Sequence, residues 1–440
     1  MLEEIQLKLN VRKKTIHFVG VLASIFLVVL ALKYNPQICI FAFLLDCLLF
    51  VFMDEEELLL SLFVLLPFAT VYKWKPNTTS FVTWLELIAL IKLFIGNKIK
   101  LTKSFLGYYC LFSMCIILSM MIAGNGFRVS EIIKNIVGLL LVYHFAQICS
   151  EKGYERIIYY YFLGMIISSI IALMGEYFRY FTVFVRQIGY DIRIQNRFSG
   201  LNGDPNYYSV CLIMVLLGAY SLRKVNRQFF YIALAMVTIL GMQTYSKSFF
   251  LVLIVTYIFI MYEDLNNHEY LACCLYILCA AIGLWMISRG RIDVINLIIY
   301  RFKDSANAGG ITTGRADIWG MYVQFFLTHP VQFCLGVGLN SGFLDGQGPH
   351  NFYIELLYFL GLIGTLPFLG CIMAIVGGIK TRKRTLANYF GVIVMVMWFF
   401  LQMLFNNELY FQILYLVLIY KFGFVAKGVP EHTSSLDNCI

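Results

Sequence analysis

Four short segments carry residues whose types and spacing could do chemistry. The first runs Arg197-Phe-Ser-Gly-Leu-Asn-Gly-Asp204-Pro205-Asn206. Asp204 before Pro205 is a helix-start signature, an N-cap followed by proline at the first position. Gly200 and Gly203 permit a tight turn before it. Arg197 is thereby held near a helix N-terminus, where backbone N–H groups favour an anion. The second is Thr244-Tyr245-Ser246-Lys247-Ser248, a tight turn with a cation at a helix start. That cation opposes the helix dipole, a mild misfit that points to an anionic partner. The third is Gly309-Gly310-Ile-Thr-Thr-Gly314-Arg315-Ala-Asp317-Ile-Trp319. It lacks the P-loop spacing, but its arginine offers phosphate a planar fork of donors. The fourth is Gly336-Val-Gly338, then Gly348-Pro349-His350-Asn351. His350 is read at a helix start, with Asn351 and Glu355 on one helix face. A neutral imidazole there can accept a proton.

Each segment also has an ordinary structural reading: a capped span with a surface arginine, a snorkelling lysine, an arginine with Asp317 nearby, an interfacial histidine. Taken together they set three cations and one base on one membrane face. Such a set suits reaction at a lipid-borne diphosphate. The cations stabilise the leaving phosphate while the histidine deprotonates a hydroxyl nucleophile.

The elements that must position these residues are membrane helices. Of 440 residues, 60% are hydrophobic and 13% charged, and the mean hydropathy is +0.78. Ordinary soluble domains carry about 25% charge, so water-soluble domains and a disordered chain are both excluded. The apolar residues fall in blocks of about 15–28, long enough to cross roughly 30 Å of hydrocarbon. The blocks do not alternate as a barrel requires. The expected fold is all-α, a polytopic transmembrane helical bundle of about 12–14 spans, at 15–33, 37–53, 57–73, 80–96, 104–123, 131–149, 156–177, 205–222, 229–245, 247–262, 269–287, 350–377, 385–404 and 408–425.

Lys and Arg in short loops set the expected orientation. Lys8, Arg12, Lys13 and Lys14, then Lys98, Lys100 and Lys103, then Arg223, Lys224 and Arg227, then Lys380, Arg382, Lys383 and Arg384 all fall on one side. That side is the cytoplasm, with both termini in it. The net charge of +9 therefore marks span ends, and nucleic acid is excluded as a partner. The outer side receives loops 178–204 and 288–349. Within the second, Ile318, Trp319, Tyr322, Val323 and Phe326 recur at helical spacing, with Asp317, Gln324 and Thr328 opposite and Pro330 as a stop. Residues 316–328 thus read as an amphipathic helix on the membrane surface, and 293–302 as a candidate second one. The expected organisation is N-terminal helices 1–177, a catalytic region 178–425 and a cytoplasmic tail 426–440.

Of 12 cysteines, most lie in apolar blocks, among them Cys39, Cys47, Cys110, Cys115, Cys273, Cys274 and Cys279. Cys334 stands in the long loop, without a partner for an intrachain disulfide there. No Cys/His metal spacing occurs. No cleavable signal peptide is evident, and no internal repeat is visible, which weighs against an inverted-repeat transporter.

At the four segments the sequence resembles the O-antigen ligase/polymerase superfamily of bacterial membrane glycosyltransferases. The motifs run in the family's order over residues of about 195–365, and the N-terminal spans match only in general hydropathy. The resemblance implies an inverting glycosyltransferase with no metal and no cofactor, in the bacterial plasma membrane. Its donor is an undecaprenyl diphosphate-linked oligosaccharide at the outer leaflet. Arg197 and Arg315 would contact the diphosphate, and His350 would activate the acceptor hydroxyl. Asp204, Asn206, Asn351 and Asp317 would shape or bind the substrate. Lys247 stands where members often have arginine, a point charge in place of a fork. Partners would be membrane lipid and the pathway's chain-length regulator and flippase. A repeat-unit polymerase is favoured by its frequency in the family. A ligase to lipid A–core is the alternative, and Asp46 and Glu86 inside spans leave a lipid-linked oligosaccharide flippase or transporter open.

Overall fold

The computed structural model describes residues 2–76, 78–122, 129–185, 197–266, 268–270, 273, 274, 277, 315–339, 341–378 and 409–422. Among these the chain is helical, without strands. Besides the single turn Phe181–Phe184, the α-helices among the described residues are α1 (Leu2–Lys33), α2 (Ile38–Phe52), α3 (Glu55–Leu65), α4 (Phe81–Ile95), α5 (Lys103–Ile122), α6 (Val129–Ile148), α7 (Glu151–Leu173), α8 (Pro205–Ser221), α9 (Arg227–Met242), α10 (Lys247–Asn266), α11 (Arg315–Thr328), α12 (Pro330–Leu335), α13 (Phe352–Gly377) and α14 (Leu409–Phe422).

Among the described residues, six helical segments are long and apolar enough to cross a membrane: Arg12–Lys33, Lys103–Met121, Val129–Ile148, Glu151–Leu173, Lys247–Asn266 and Phe352–Gly377. Ile38–Phe52, Arg227–Met242 and Leu409–Phe422 are apolar but shorter. The spans expected at 269–287 and 385–404 fall largely or wholly outside the described residues, as do the surface helix at 293–302 and the tail. The block at 57–73 is not one long helix: α3 ends at Leu65 and tightens into a 3-10 turn, Leu66–Phe68, with Pro67 inside it.

Two kinds of helix make the bundle. In α8 every residue but Asn206 is buried, and α3 is buried from Glu57 to Leu65. A helix that is apolar all round belongs inside. The outer helices instead leave large apolar side chains bare, such as Phe41 and Met373, each 65% exposed. A belt of that kind is what lipid covers, since no water-facing helix gains from it.

Antiparallel α7 and α8 are pinned at both ends. Tyr154 bonds Ser221 at 2.7 Å and Ser169 bonds Tyr208 at 2.6 Å. The Asp54–Glu57 turn, near the Tyr154 end, ties four elements together. Asp54 and Glu57 form a reciprocal capping box at the start of α3. Glu57 bonds His17 at 3.0 Å, and Glu55 bonds His144 at 3.1 Å. Glu56 takes Lys14 at 3.4 Å and Arg156 at 3.1 Å.

α13 is broken inside. Gly361 leaves the helical region, with φ 62° and ψ −175°. The break frees carbonyls that the helix would have used, and they find new donors. Val337 N–H donates to Tyr358 O at 2.8 Å and Gly338 N–H to Phe359 O at 3.1 Å. Ser119 on α5 donates to Phe359 O at 3.2 Å and accepts from Leu339 N–H at 2.9 Å. Buried backbone groups are almost always paired, and here a strap and a distant hydroxyl pair them. The approach is close enough that a Cβ on Gly336 would meet Phe359 O at 2.3 Å, and one on Gly361 would meet Cys334 O at 2.3 Å.

Candidate functional site

Four helix starts and one loop make the site, at the Tyr208 end of α8. Asp204 caps α8, accepting from Asn206 N–H at 2.7 Å and Tyr207 N–H at 3.2 Å. Pro205 occupies the first position, as its fixed φ and missing donor favour. Gly200 and Gly203 turn the chain into the cap at φ 56° and 77°.

Arg197 is half-buried and held by two partners. Its Nε donates to Thr244 O at 2.8 Å, and a terminal nitrogen donates to Asn206 Oδ1 at 3.0 Å. Phe198 N–H adds a backbone bond to Gln243 O at 3.0 Å. The first two motifs are therefore one structural unit. Lys247 opens α10, three residues past Thr244. Between them Tyr245 takes φ 48°, a left-handed conformation uncommon outside glycine.

The other two motifs meet through α11. Trp319 Nε1 donates to Pro349 O at 2.8 Å and Tyr322 Oη to Gln347 O at 2.8 Å. Both bonds fix the segment that delivers His350. The helix itself runs Arg315–Thr328, close to the 316–328 expected, and Pro330 starts α12. Its covered side carries Ile318, Trp319, Tyr322, Phe325 and Phe326. Val323, expected on that side, is exposed, while Tyr322 and Phe325 meet Tyr358 of α13 and Phe326 meets Phe333 of α12.

His350 lies just outside α13, which starts at Phe352. Asn351 is the cap, accepting from Tyr353 N–H at 3.0 Å and Ile354 N–H at 3.3 Å. His350 itself takes φ 47°. A non-glycine residue pays to stay in that region, and such strain gathers at functional sites. Burial of the ring, then the Arg315 guanidinium, holds its pKa below the ordinary 6.5, while Asp204 pulls it upward. The residue keeps an open surface even so.

Arg315 and Asp204 each act electrostatically on His350. Arg197 joins them through Asn206, two residues from Asp204, and Lys247 through Thr244. Two expected members make no contact with these charged groups among the described residues. Asn351 is buried with its side-chain oxygen occupied as a cap, so it shapes the site from below. Asp317 is exposed on α11. Sequence reading missed the Thr244 carbonyl, the Trp319 bond to Pro349 and Ser119. Only Trp319 left a signal, as an indole on the covered face of the surface helix.

Chemically, the group is a cation-rich, half-buried surface with a neutral imidazole beside it. It can hold an anion and take up a proton. Among the described residues no three His, Cys, Asp or Glu side chains converge as a metal site would require. Comparison of the chain with known proteins finds no matching family, no matching curated protein and no matching solved structure.

Proposed function

We propose that this chain is a glycosyltransferase of the bacterial plasma membrane, a polysaccharide polymerase acting at the outer leaflet. Its substrate is an undecaprenyl diphosphate-linked repeat unit, and the acceptor is a hydroxyl of another lipid-linked unit. The reading is carried by one observation: His350 shares its electrostatic surroundings with Arg315 and Asp204, at the helix start that Arg197 braces. The ordered motifs and their resemblance to the O-antigen ligase/polymerase superfamily supply the substrate class.

The step balances on these residues. His350 takes the proton of the acceptor hydroxyl as its oxygen attacks the anomeric carbon of the donor. The new carbon–oxygen bond forms as the bond to the diphosphate breaks. The electron pair leaves with the diphosphate, whose growing charge Arg197, Arg315 and Lys247 stabilise. Attack opposite the leaving group inverts the anomeric centre. An imidazole held below 6.5 is already neutral at neutral pH, as a base must be. The apolar belt keeps the polyprenyl tail in the bilayer while the site end receives the sugar.

The test is a product ladder. Purified protein in nanodiscs receives the host's lipid-diphosphate-linked repeat unit, without another acceptor and with chelator present. Products spaced by one repeat unit are expected. Product that forms only when lipid A–core is added reassigns the chain as a ligase. Translocation of the lipid-linked glycan with no new glycosidic bond removes the transferase reading.

A further inference from the structure

The apolar period of α11 is spent on packing against α13, and its exposed side carries a second, separate pattern. Ile318, Trp319, Tyr322, Phe325 and Phe326 are covered, with the Tyr322 and Phe325 rings 5.0 and 5.5 Å from that of Tyr358. Val323 and Leu327 are exposed, and the same four-residue spacing continues past Pro330 into α12 with Val331 and Leu335. Leu327 is 79% exposed. Asp317, Gln324 and Thr328 are exposed too, about a quarter-turn round the helix from Val323 and Leu327.

α12 ends beside the break in α13. There Val337 N–H donates to Tyr358 O at 2.8 Å and Gly338 N–H to Phe359 O at 3.1 Å. Those carbonyls lie about 9–11 Å along the axis from the helix start at Phe352. α13 has 26 residues, about 39 Å of helix against a hydrocarbon layer of roughly 30 Å. Shared between its ends, that excess leaves the strap several ångströms inside the hydrocarbon. The sequence agrees, since no Asp, Glu, Lys or Arg stands between Asp317 and Asp345. Polar groups at the joint of α11 and α12 are met within the joint, as hydrocarbon demands. Thr328 Oγ1 donates to Gln324 O at 2.9 Å, and His329 Nδ1 lies 3.1 Å from Phe325 O.

The exposed apolar belt of α13 passes onto this hairpin at the break. Beyond Gly361, the side chains of Ile363, Leu366, Leu369 and Met373 are exposed. From Phe352 to Gly361 only Tyr353 is, and there the exposed apolar side chains belong to α11 and α12 instead. We propose that Val323, Leu327, Val331 and Leu335 face the acyl chains of the leaflet at the His350 end of α13. α11 and α12 are then a hairpin set into the membrane and not a loop outside it. Three faces of α11 meet three surroundings: α13, hydrocarbon and, at Asp317, Gln324 and Thr328, headgroups.

Immersion seats the helix that carries two parts of the candidate site. Arg315 opens α11, and Trp319 on it donates to Pro349 O at 2.8 Å, one residue before His350. Lipid on one side of α11 and α13 on another therefore hold both groups at headgroup level. The inference rests on α13 being long and apolar enough to cross the membrane, and not on the proposed reaction.

The experiment reads labelling and stability and needs no product. Full-length protein in nanodiscs is photolysed with an aryl diazirine dissolved in the lipid or with a charged diazirine dissolved in the water, and the labelled peptides are mapped by mass spectrometry. Leu327 and Val331 are expected to take the lipid-borne label and to escape the water-borne one, while exposed Asp345 does the reverse. Label from the water at Leu327 or Val331 overturns the proposal. Label from neither source overturns it too, because another protein surface then covers the stripe. Charge on the stripe is the second measurement. Leu327→Asp is expected to lower the thermal midpoint in nanodiscs by about 3–5 °C, and Leu327→Lys by less, because lysine can snorkel to the headgroups. A Leu327→Asp midpoint equal to the wild type overturns the proposal, since only a stripe in water accepts that charge freely.

Discussion

Arg197 reaches Asn206 Oδ1 at 3.0 Å while the same guanidinium holds Thr244 O at 2.8 Å. One side chain thereby fixes the start of α8 to the turn before α10. Two donors of a planar fork are spent on the protein, and the fork's plane is set before any anion arrives. Lysine cannot reproduce that arrangement. Arg197→Lys is expected to keep the charge and lose about tenfold or more in product rate. Chain extension in the nanodisc assay checks this, and an unchanged rate would remove the preorganisation argument.

The strained backbone of His350 gives a second prediction. At φ 47° a non-glycine residue carries about 1 kcal/mol of cost. His350→Gly is expected to raise the thermal midpoint and reduce product by about 10²–10⁴-fold, the worth of a general base. A variant that is both less stable and fully active contradicts both halves.

The acid limb of His350 follows from its neighbours. Burial and Arg315 disfavour the imidazolium and Asp204 favours it. Neutral imidazole should therefore persist to below pH 6.5. Acylation of His350 by diethyl pyrocarbonate against pH, read by peptide mass spectrometry, reports the neutral form without needing activity. In Arg315→Gln the midpoint should move up in pH. In Asp204→Asn it should move down, and the helix cap survives because asparagine also caps. An Arg315→Gln midpoint equal to the wild type would place the arginine away from the ring.

The broken helix predicts a stability effect at a distance from the chemistry. Gly361→Ala sets a Cβ against the Cys334 carbonyl at 2.3 Å and forces a left-handed alanine. A cost on the order of 3 kcal/mol is expected. Ser119→Ala strips two hydrogen bonds from the strap and should cost about 1–3 kcal/mol. Denaturation midpoints check both, and Gly361→Ala at wild-type stability would refute the close approach.

The acidic turn before α3 offers the control. Glu57 is 7% exposed, completes the capping box and bonds His17, itself buried. Glu57→Ala should destabilise by about 3 kcal/mol. Product per folded molecule should stay unchanged, because the turn lies at the far end of α7 and α8. A specific loss of turnover would mean that the two ends are coupled.

Much of this molecule is legible along the chain. Apolar blocks demand helices because lipid offers the backbone no partner, and α1, α5, α7, α10 and α13 lie where those blocks fall. Asp204-Pro205 announces the start of α8 because a cap and a fixed φ act locally. Residues 316–328 show their helix by the period of their apolar side chains. The four motifs were readable as residue types for the same reason, since charge, imidazole and glycine need no partner to be recognised.

What the chain could not show are relations between residues far apart in it. Ser119 and Phe359 are neighbours only because α5 packs on the break in α13. Asp54–Glu57 looks like an isolated acidic turn until Lys14, His17, His144 and Arg156 converge on it. Arg197 reads as a surface arginine until Thr244 and Asn206 close on it, and Asn351 as a polar site residue until its oxygen is taken by the N–H groups of α13. Helix starts, apolar helices and candidate groups are local or periodic, so the sequence by itself determined their residue types and positions along the chain. Which carbonyl meets which donor depends on how helices hundreds of residues apart seat against one another, and the tertiary packing alone decided that.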